Sequence, residues 1–246
     1  MVGGRVVPKR AERLIALTRQ FDFRYTVHRV VSSNLTDPAV YRYQIDAAKA
    51  LLEFALGSMR ALIQHSGLFA DQVLDGPGLE EREREAVFEL AEFCKPYDVR
   101  ITFENLFAMD PGQCQQSLAE VAQMAKAVSH LNLVALIDFS HAYSESTHRG
   151  LNFREQLRAM APVAGHLHVH DSFGRPQGLH RTYLPQEDAA LGIGDLHMPL
   201  GWGDIEWNDV FSELAFLPGT VLVMEIGPAI ATSSPIAWPG QKTSSA

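Results

Sequence analysis

Cysteine and long apolar runs are scarce in this sequence. Cys94 and Cys114 are the only cysteines among 246 residues, and they lie outside any metal-type spacing, so they predict free thiols in a reducing compartment. No window approaches the roughly 18 consecutive apolar residues of a membrane span, and no apolar signal-peptide core follows Met1. We therefore expect a soluble protein with a cytoplasmic location.

Several common catalytic signatures are absent as well. The sequence contains no G-x-S-x-G elbow, no Walker loop and no G-x-G-x-x-G fingerprint. These absences argue against the common hydrolase, NTPase and dinucleotide-binding classes.

Basic residues are too few and too scattered to form an obvious basic face. The formal net charge is -8, and the sixteen Arg and five Lys are spread along the chain. Nucleic acid is therefore a disfavoured partner. With 46% hydrophobic content, the chain can bury one substantial core, so we interpret residues 1–246 as a single domain. The sequence leaves the oligomeric state open, a homo-oligomer included.

Short β-rich runs alternate with longer amphipathic segments, as in βα units around a parallel sheet. The predicted strands cover residues 24–28, 61–65, 99–104, 133–138, 166–170 and 220–225. The predicted helices lie near residues 8–20, 38–57, 79–95, 113–129, 151–160 and 208–217. This order predicts an α/β fold of the TIM (β/α)8-barrel type.

Two strands of such a barrel are not visible in the sequence, because a closed barrel needs eight and only six are predicted. Only about twenty residues precede the first predicted strand, whereas each βα unit needs roughly thirty. After Glu225 the chain runs into three prolines and a polar tail, residues 229–246, with no predicted helix. We therefore expect a barrel that lacks its first βαβ portion and its last helix, with the missing strands encoded upstream of Met1.

Each predicted strand has an apolar body and ends in His, Asp or Glu. These ends are His28, His65, Glu104, Asp138, His170 and Glu225. A lone acidic residue at such a place is more often a helix cap, but histidine is a poor cap and three of the six ends carry it. The active site of an α/β barrel lies at the carboxyl ends of the strands, so we expect these side chains to converge on one mouth. None of the five lysines stands at such an end, so a Schiff-base aldolase would lack its nucleophile.

Two spacings near these ends favour a metal site. His166, His168 and His170 alternate, so the period of a strand places all three on one face. Asp138 and His141 form an Asp-x-x-His pair, with the imidazole expected on the loop just above the carboxylate. Mixed oxygen and nitrogen ligands suit Zn, Mn or Fe better than Ca. For any one histidine, a buried and merely hydrogen-bonded ring is the commoner interpretation, but three alternating histidines that end in Asp favour a ligand set.

A later segment offers a second pair of ligands. Asp195 and His197 form an Asp-x-His pair that can present both side chains on one side of an extended segment. Gly201 and Gly203 would let the backbone approach the site closely, although a plain glycine-rich turn is the commoner interpretation of the glycines alone.

At these residues the sequence resembles the superfamily that includes xylose isomerase, sugar phosphate isomerases and epimerases, and endonuclease IV. The resemblance runs from about residue 25 to residue 225. It is carried by the His28 strand with Asn34-Leu35, Gln64-His65-Ser-Gly67, Phe103-Glu104-Asn105-Leu106, Ile137-Asp138-Phe-Ser-His141, His168-Val-His-Asp171-Ser172, His197-Met-Pro-Leu-Gly201-Trp-Gly203-Asp204-Ile205 and Met224-Glu225.

The resemblance implies a divalent metal ion, such as Mn2+, Mg2+, Co2+ or Zn2+. Glu104, Asp138, His168 and Glu225 match the four metal ligands that isomerases and epimerases of the group share. The positions that match the further ligands of the three-zinc cluster of endonuclease IV are His28, His65, His141, Asp195 and His197. The sequence departs from endonuclease IV after His65, where Ser-Gly replaces a Pro-Gly-Ser-His pattern.

The function implied first is isomerisation or epimerisation of a small sugar or sugar phosphate. Glu104 and Glu225 would exchange the proton, one taking it while the other returns it. Side chains expected to hold the substrate are Trp202, as an apolar wall, and His141, His197, Arg175, His180 and Arg181, for hydroxyl or phosphate groups. Two alternatives stay open: zinc-dependent AP endonuclease or phosphodiesterase activity, and a non-catalytic barrel remnant that binds a partner.

Overall fold

The computed structural model describes residues 1–31, 33–55, 59–70, 78–176 and 185–227. Its strands are β1 (Tyr25–His28), β2 (Met59–His65), β3 (Leu68–Ala70), β4 (Arg100–Glu104), β5 (Gln113–Gln115), β6 (Leu133–Asp138), β7 (Ala164–Val169) and β8 (Val221–Met224). Its α-helices are α1 (Pro8–Thr18), α2 (Tyr41–Ala55), α3 (Leu79–Cys94), α4 (Leu118–Val128), α5 (Phe139–Arg149), α6 (Phe153–Met160), α7 (Pro185–Leu191) and α8 (Trp207–Glu213). Single 3-10 turns follow α3 and α6, at Lys95–Tyr97 and Ala161–Val163.

Six parallel strands form one sheet in the order β1-β2-β4-β6-β7-β8. The sheet curls into part of a barrel, with the helices outside it, which confirms the predicted α/β barrel fold. β1 and β8 are the two edges, and no strand among the described residues closes the gap between them. None of the described helices has the length and apolar character needed to cross a membrane.

The two faces of the sheet have different chemistry because successive side chains of a strand point to opposite sides. On β4, Ile101 and Phe103 belong to the buried apolar core under the helices, whereas Thr102 and Glu104 point into the barrel. β6 repeats this alternation, with Ala135 and Ile137 in the same core. The hydrophobic core therefore lies between the sheet and helices α2 to α6 and α8, and the inner face is left for polar chemistry.

Several elements differ from the sequence prediction. The expected helix at 113–129 begins only at Leu118, where Ser117 caps it, and residues 113–115 instead pair as β5 with β3 in a small antiparallel sheet. The helix expected at 208–217 ends at Glu213.

Helix α5 was predicted as a loop after Asp138. Its buried face is formed largely by small polar side chains and one carboxylate, such as Ser140, Ser144 and Glu145, so it has no clear apolar stripe. Asp138 caps its first turn by accepting from the His141 N–H, and Gly150 ends it in the left-handed region. His141 therefore lies in the first turn of a helix and not on a loop.

Candidate metal centre

The register of the parallel sheet brings the polar strand ends to one level. His65 of β2 pairs with Glu104 of β4, and Asp138 of β6 pairs with His168 of β7. Carboxyl ends of parallel strands share one edge, so four chemistry-bearing side chains meet there. The expected convergence on one mouth is thus present in the structure.

His168 lies at the middle of this group. Its Nδ1 is 3.0 Å from Glu104 Oε1, 3.7 Å from Asp138 Oδ2 and 3.4 Å from Glu225 Oε2. Glu104, Asp138 and His168 have no exposed side-chain surface, whereas Glu225 is 22% exposed. The four residues predicted as shared metal ligands therefore form one cluster, with Glu225 on its open side.

Two further clusters flank the central one. On the β1 side, the Nε2 atoms of His28 and His65 lie 3.3 and 3.2 Å from Glu104 Oε2. On the other side, Asp195 Oδ2 is 2.8 Å from His197 Nε2 and 3.3 Å from His141 Nε2. Asp138 connects this second cluster to the centre, because its Oδ1 is 3.8 Å from His141 Nδ1. All nine candidate ligands predicted from the sequence are thus brought together.

Backbone carbonyls fix the orientation of three of these histidines. The Nδ1 atoms of His28, His141 and His197 each lie 2.6–3.0 Å from a backbone carbonyl oxygen, of Arg29, Asn105 and Glu225 respectively. A carbonyl only accepts, so each Nδ1 must carry the proton and each Nε2 must face the cluster. Metal-binding histidines are commonly oriented in this way.

Unsatisfied buried atoms support the fit of this donor set to a cation. Within the described residues, Glu104 Oε2, His65 Nδ1 and His168 Nε2 are buried without a hydrogen bond of ordinary geometry. Such atoms are uncommon in protein interiors unless a water, an ion or a ligand satisfies them. Carboxylate and imidazole donors at this spacing are the ligands preferred by divalent ions such as zinc and manganese.

The carboxylates and histidines of the central cluster shift one another's pKa values. Burial would raise the pKa of Glu104, but its contacts with His168, His28 and His65 outweigh burial and hold the pKa well below its usual range. Burial would likewise lower the pKa of His168, but Asp138 and Glu104 raise it to about 10. A bound divalent cation would displace these protons, because a ligating imidazole must be neutral.

His170 and Asn105 also belong to this site, although neither is among the nine ligands that the family resemblance implies. His170 follows β7, and its Nε2 is 2.9 Å from Asp138 Oδ2, while its Nδ1 is 3.6 Å from Asp195 Oδ1. Asn105 exchanges two hydrogen bonds with the backbone of Asp138. The alternating histidines signalled His170, whereas no spacing indicates that Asn105 pairs with the next strand.

The residues predicted to hold the substrate lie farther out or outside the described residues. Trp202 is exposed on a loop. Arg175 is exposed, and its guanidinium donates to the carbonyl of Leu191 and lies over the Phe173 ring. His180 and Arg181 lie outside the described residues.

The loop after Asp195 is held against the site by Asp171. The fully buried Asp171 carboxylate accepts hydrogen bonds from the N–H groups of Gly201, Ile205 and Ser172 and from the Trp207 indole. Gly203 has no space for a side chain, because a Cβ there would overlap the Ser172 carbonyl oxygen and the Asp171 carboxylate. The close approach of the backbone to the site that we predict at the glycines therefore occurs at Gly203.

A family profile described as "Xylose isomerase-like TIM barrel" matches residues 4–238. The chain belongs to this family. The resemblance inferred from its strand-end motifs is thereby confirmed. A comparison with curated protein sequences gives no match.

Solved structures of low sequence identity share the fold. A D-tagatose 3-epimerase-like protein is 18% identical, with a TM-score of 0.68, covering 89% of this chain and 77% of its own. The IOLI protein with a bound zinc atom is 17% identical, with a TM-score of 0.63 and coverages of 91% and 75%. An AP endonuclease of family 2 from Brucella melitensis is 16% identical, with a TM-score of 0.61 and coverages of 87% and 77%.

Proposed function

We propose that this protein is a metal-dependent isomerase or epimerase of a small sugar or sugar phosphate. The observation that carries the proposal is the position of Glu225. It is the partly exposed carboxylate of the central cluster, and its Oε2 lies 3.4 Å from Nδ1 of the buried His168. The likeness to a D-tagatose 3-epimerase-like structure supports the same substrate class.

Glu104, Asp138, His168 and Glu225 would hold one divalent ion. When bound, the ion supplies Lewis acidity to neighbouring hydroxyl and carbonyl oxygens of the sugar, which acidifies the adjacent C–H. Asp138 is restrained on both oxygens, by the His141 N–H and by His170, so its orientation does not depend on the ion.

Glu225 and Glu104 would carry the proton. Both carboxylates lie within 3.4 Å of the same His168 nitrogen, so they flank one small volume. Glu225 is on the accessible side and takes the proton from the substrate carbon, and Glu104 is the buried partner that returns it. His28 and His197, about one third exposed, line the rim and can bind sugar hydroxyls with His141. Trp202 and Arg175 remain predicted substrate contacts from the outer loops.

Metal analysis tests the ligand assignment. Asp138→Ala and His168→Ala should lose bound metal under limiting metal, whereas Asp46→Ala, an exposed change on α2, should keep it. Wild-type metal content in both ligand variants would show that the assignment is wrong.

Solvent exchange tests the chemistry. With ketoses and their phosphates in deuterated water, wild-type protein should incorporate deuterium beside the carbonyl. Glu225→Gln should lose about 100-fold or more of this exchange, because the amide preserves shape and removes the base. Glu85→Gln, an exposed change on α3, is the matched control. No exchange with any sugar in the panel would refute the proposed activity.

Phosphodiester hydrolysis is the second candidate, and the two flanking clusters favour it. Among the described residues, five overlapping groups of three His, Asp or Glu residues each have their ligand atoms within 4.8 Å of one another, more than a single ion requires. Linked metal ions can stabilise both attacking and leaving oxygens. Three ions per chain, together with cleavage of abasic-site DNA and no sugar exchange, would place this activity first. A metal-free protein with no turnover would instead favour a partner-binding barrel remnant.

A further inference from the structure

A second cavity lies at the opposite end of the strands from the metal centre. Its volume is about 300 Å3, at the lower end of the ~300–1,000 Å3 range typical of small-molecule sites. On β4, Arg100 lines this cavity and Glu104 belongs to the metal centre. Four steps along the strand place them about 13 Å apart, so the arginine end of the cavity lies away from the metal centre.

Three arginines on neighbouring strands give this cavity its charge. Arg24 directly precedes β1, Arg60 lies in β2 and Arg100 begins β4, and all three line the cavity. Asp98 is the single carboxylate of the lining, and its side chain is 97% exposed and 4.0 Å from Arg60. An exposed pair at that distance contributes little.

Arg24 and Arg100 have no carboxylate within 4.0 Å among the described residues. In a chain with a net charge of -8, the lining of this cavity therefore carries three arginines against one exposed carboxylate. Such a lining favours an anion, and the planar guanidinium fork matches phosphate oxygens.

His166 is an independent sign of a ligand. It is 1% exposed, lines the cavity, and neither ring nitrogen has a hydrogen-bond partner within the described part of the chain. A neutral imidazole offers one donor and one acceptor. Such a ring suits a group that both donates and accepts, such as a hydroxyl of phosphate or of a sugar.

We propose that this basal cavity binds a small phosphate-bearing anion through Arg24, Arg60 and Arg100, with His166 as a buried hydrogen-bonding partner. Inorganic phosphate and a phosphomonoester share the required chemistry. The site is independent of the reaction proposed for the metal centre.

Calorimetric titration of the full chain with inorganic phosphate tests the site, at an ionic strength matched with chloride. The titration is run on the protein as purified and again after chelation of metal, because phosphate bound at a metal would be lost on chelation. We expect saturable binding that survives chelation. Parallel titration with glycerol 3-phosphate shows which source binds more tightly.

Substitutions of exposed arginines locate the binding without disturbing the core. Arg100→Gln and Arg24→Gln should each weaken phosphate binding by about tenfold or more, because each removes a charge-assisted contact. Arg13→Gln, on the exposed side of α1, should leave it unchanged. Three results would each overturn the proposal. The first is loss of all phosphate binding on chelation, and the second is an equal weakening of phosphate binding in Arg13→Gln. The third is a heat of phosphate titration no larger than that of the chloride control.

Discussion

The buried carboxylate of Asp171 accepts four hydrogen bonds, and the loss of stability on its substitution can be calculated from them. Oδ1 accepts from the N–H groups of Ser172 and Ile205, at 3.0 and 3.3 Å. Oδ2 accepts from the Gly201 N–H at 2.7 Å and from the Trp207 indole at 3.0 Å. Substitution by asparagine keeps the shape but turns one acceptor oxygen into an NH2 group, so two of the four donors lose their partner in either orientation of the amide.

Hydrogen bonds to a charged group are each worth about 1.5–3 kcal/mol, so Asp171→Asn should reduce the free energy of unfolding by about 3–6 kcal/mol. At about 2–4 °C per kcal/mol for a chain of this size, the thermal midpoint should fall by about 6–24 °C. Metal affinity should fall as well, because the loop that Asp171 holds also carries Asp195 and His197.

Thermal and guanidinium unfolding of Asp171→Asn beside Asp46→Asn, an exposed change on α2, measure this effect. The control should unfold like the wild type. A loss below about 1 kcal/mol in Asp171→Asn, with unchanged metal affinity, would show that the loop does not depend on this carboxylate.

Three other substitutions test different parts of the structure. Gly203→Ala should destabilise the same loop, because its Cβ would overlap the Ser172 carbonyl oxygen. Gly112→Ala is the control, because a Cβ there meets no atom within 4 Å. Equal thermal midpoints of the two variants would contradict the close approach at Gly203. Burial raises the pKa of Glu83 from 4.5 to about 7, so its contribution to stability is fully present below about pH 4.5 and is lost as the pH rises through about 7. Glu83→Gln should therefore gain up to about 3 kcal/mol over the wild type between pH 5 and pH 9, and a difference independent of pH would refute this. Leu222 is 47% exposed on the edge strand β8, and an exposed apolar edge promotes self-association. Leu222→Lys should therefore reduce the oligomer size measured by light scattering. A strictly monomeric wild-type protein would show that this edge does not self-associate.

The succession of strands and the polar residues at or beside their ends follow from local sequence patterns, and the resemblance to the family selected the metal-ligand candidates among them. Each strand of the sheet is a short apolar run that ends at or beside a polar residue, as the run ending at Ile137 does before Asp138. Such runs can be recognised in the sequence without knowledge of tertiary contacts. Parallel strands then place their carboxyl ends on one edge by topology alone, so the meeting of Glu104, Asp138 and His168 was predictable.

Tertiary packing decided the features that have no periodic signal. Helix α5 buries small polar side chains around Glu145, which accepts from the backbone of Ala108 and Gln115, so its buried face does not look apolar in the sequence. The hydrogen bonds from the 201–207 loop to Asp171 join groups thirty or more residues apart in the sequence. The convergence of Arg24, Arg60 and Arg100 likewise depends on strand register, because each arginine alone looks like an ordinary exposed side chain at the start of a strand. Side chains distant in sequence meet only when the sheet curls, and the curl is a property of the whole barrel and not of any one segment.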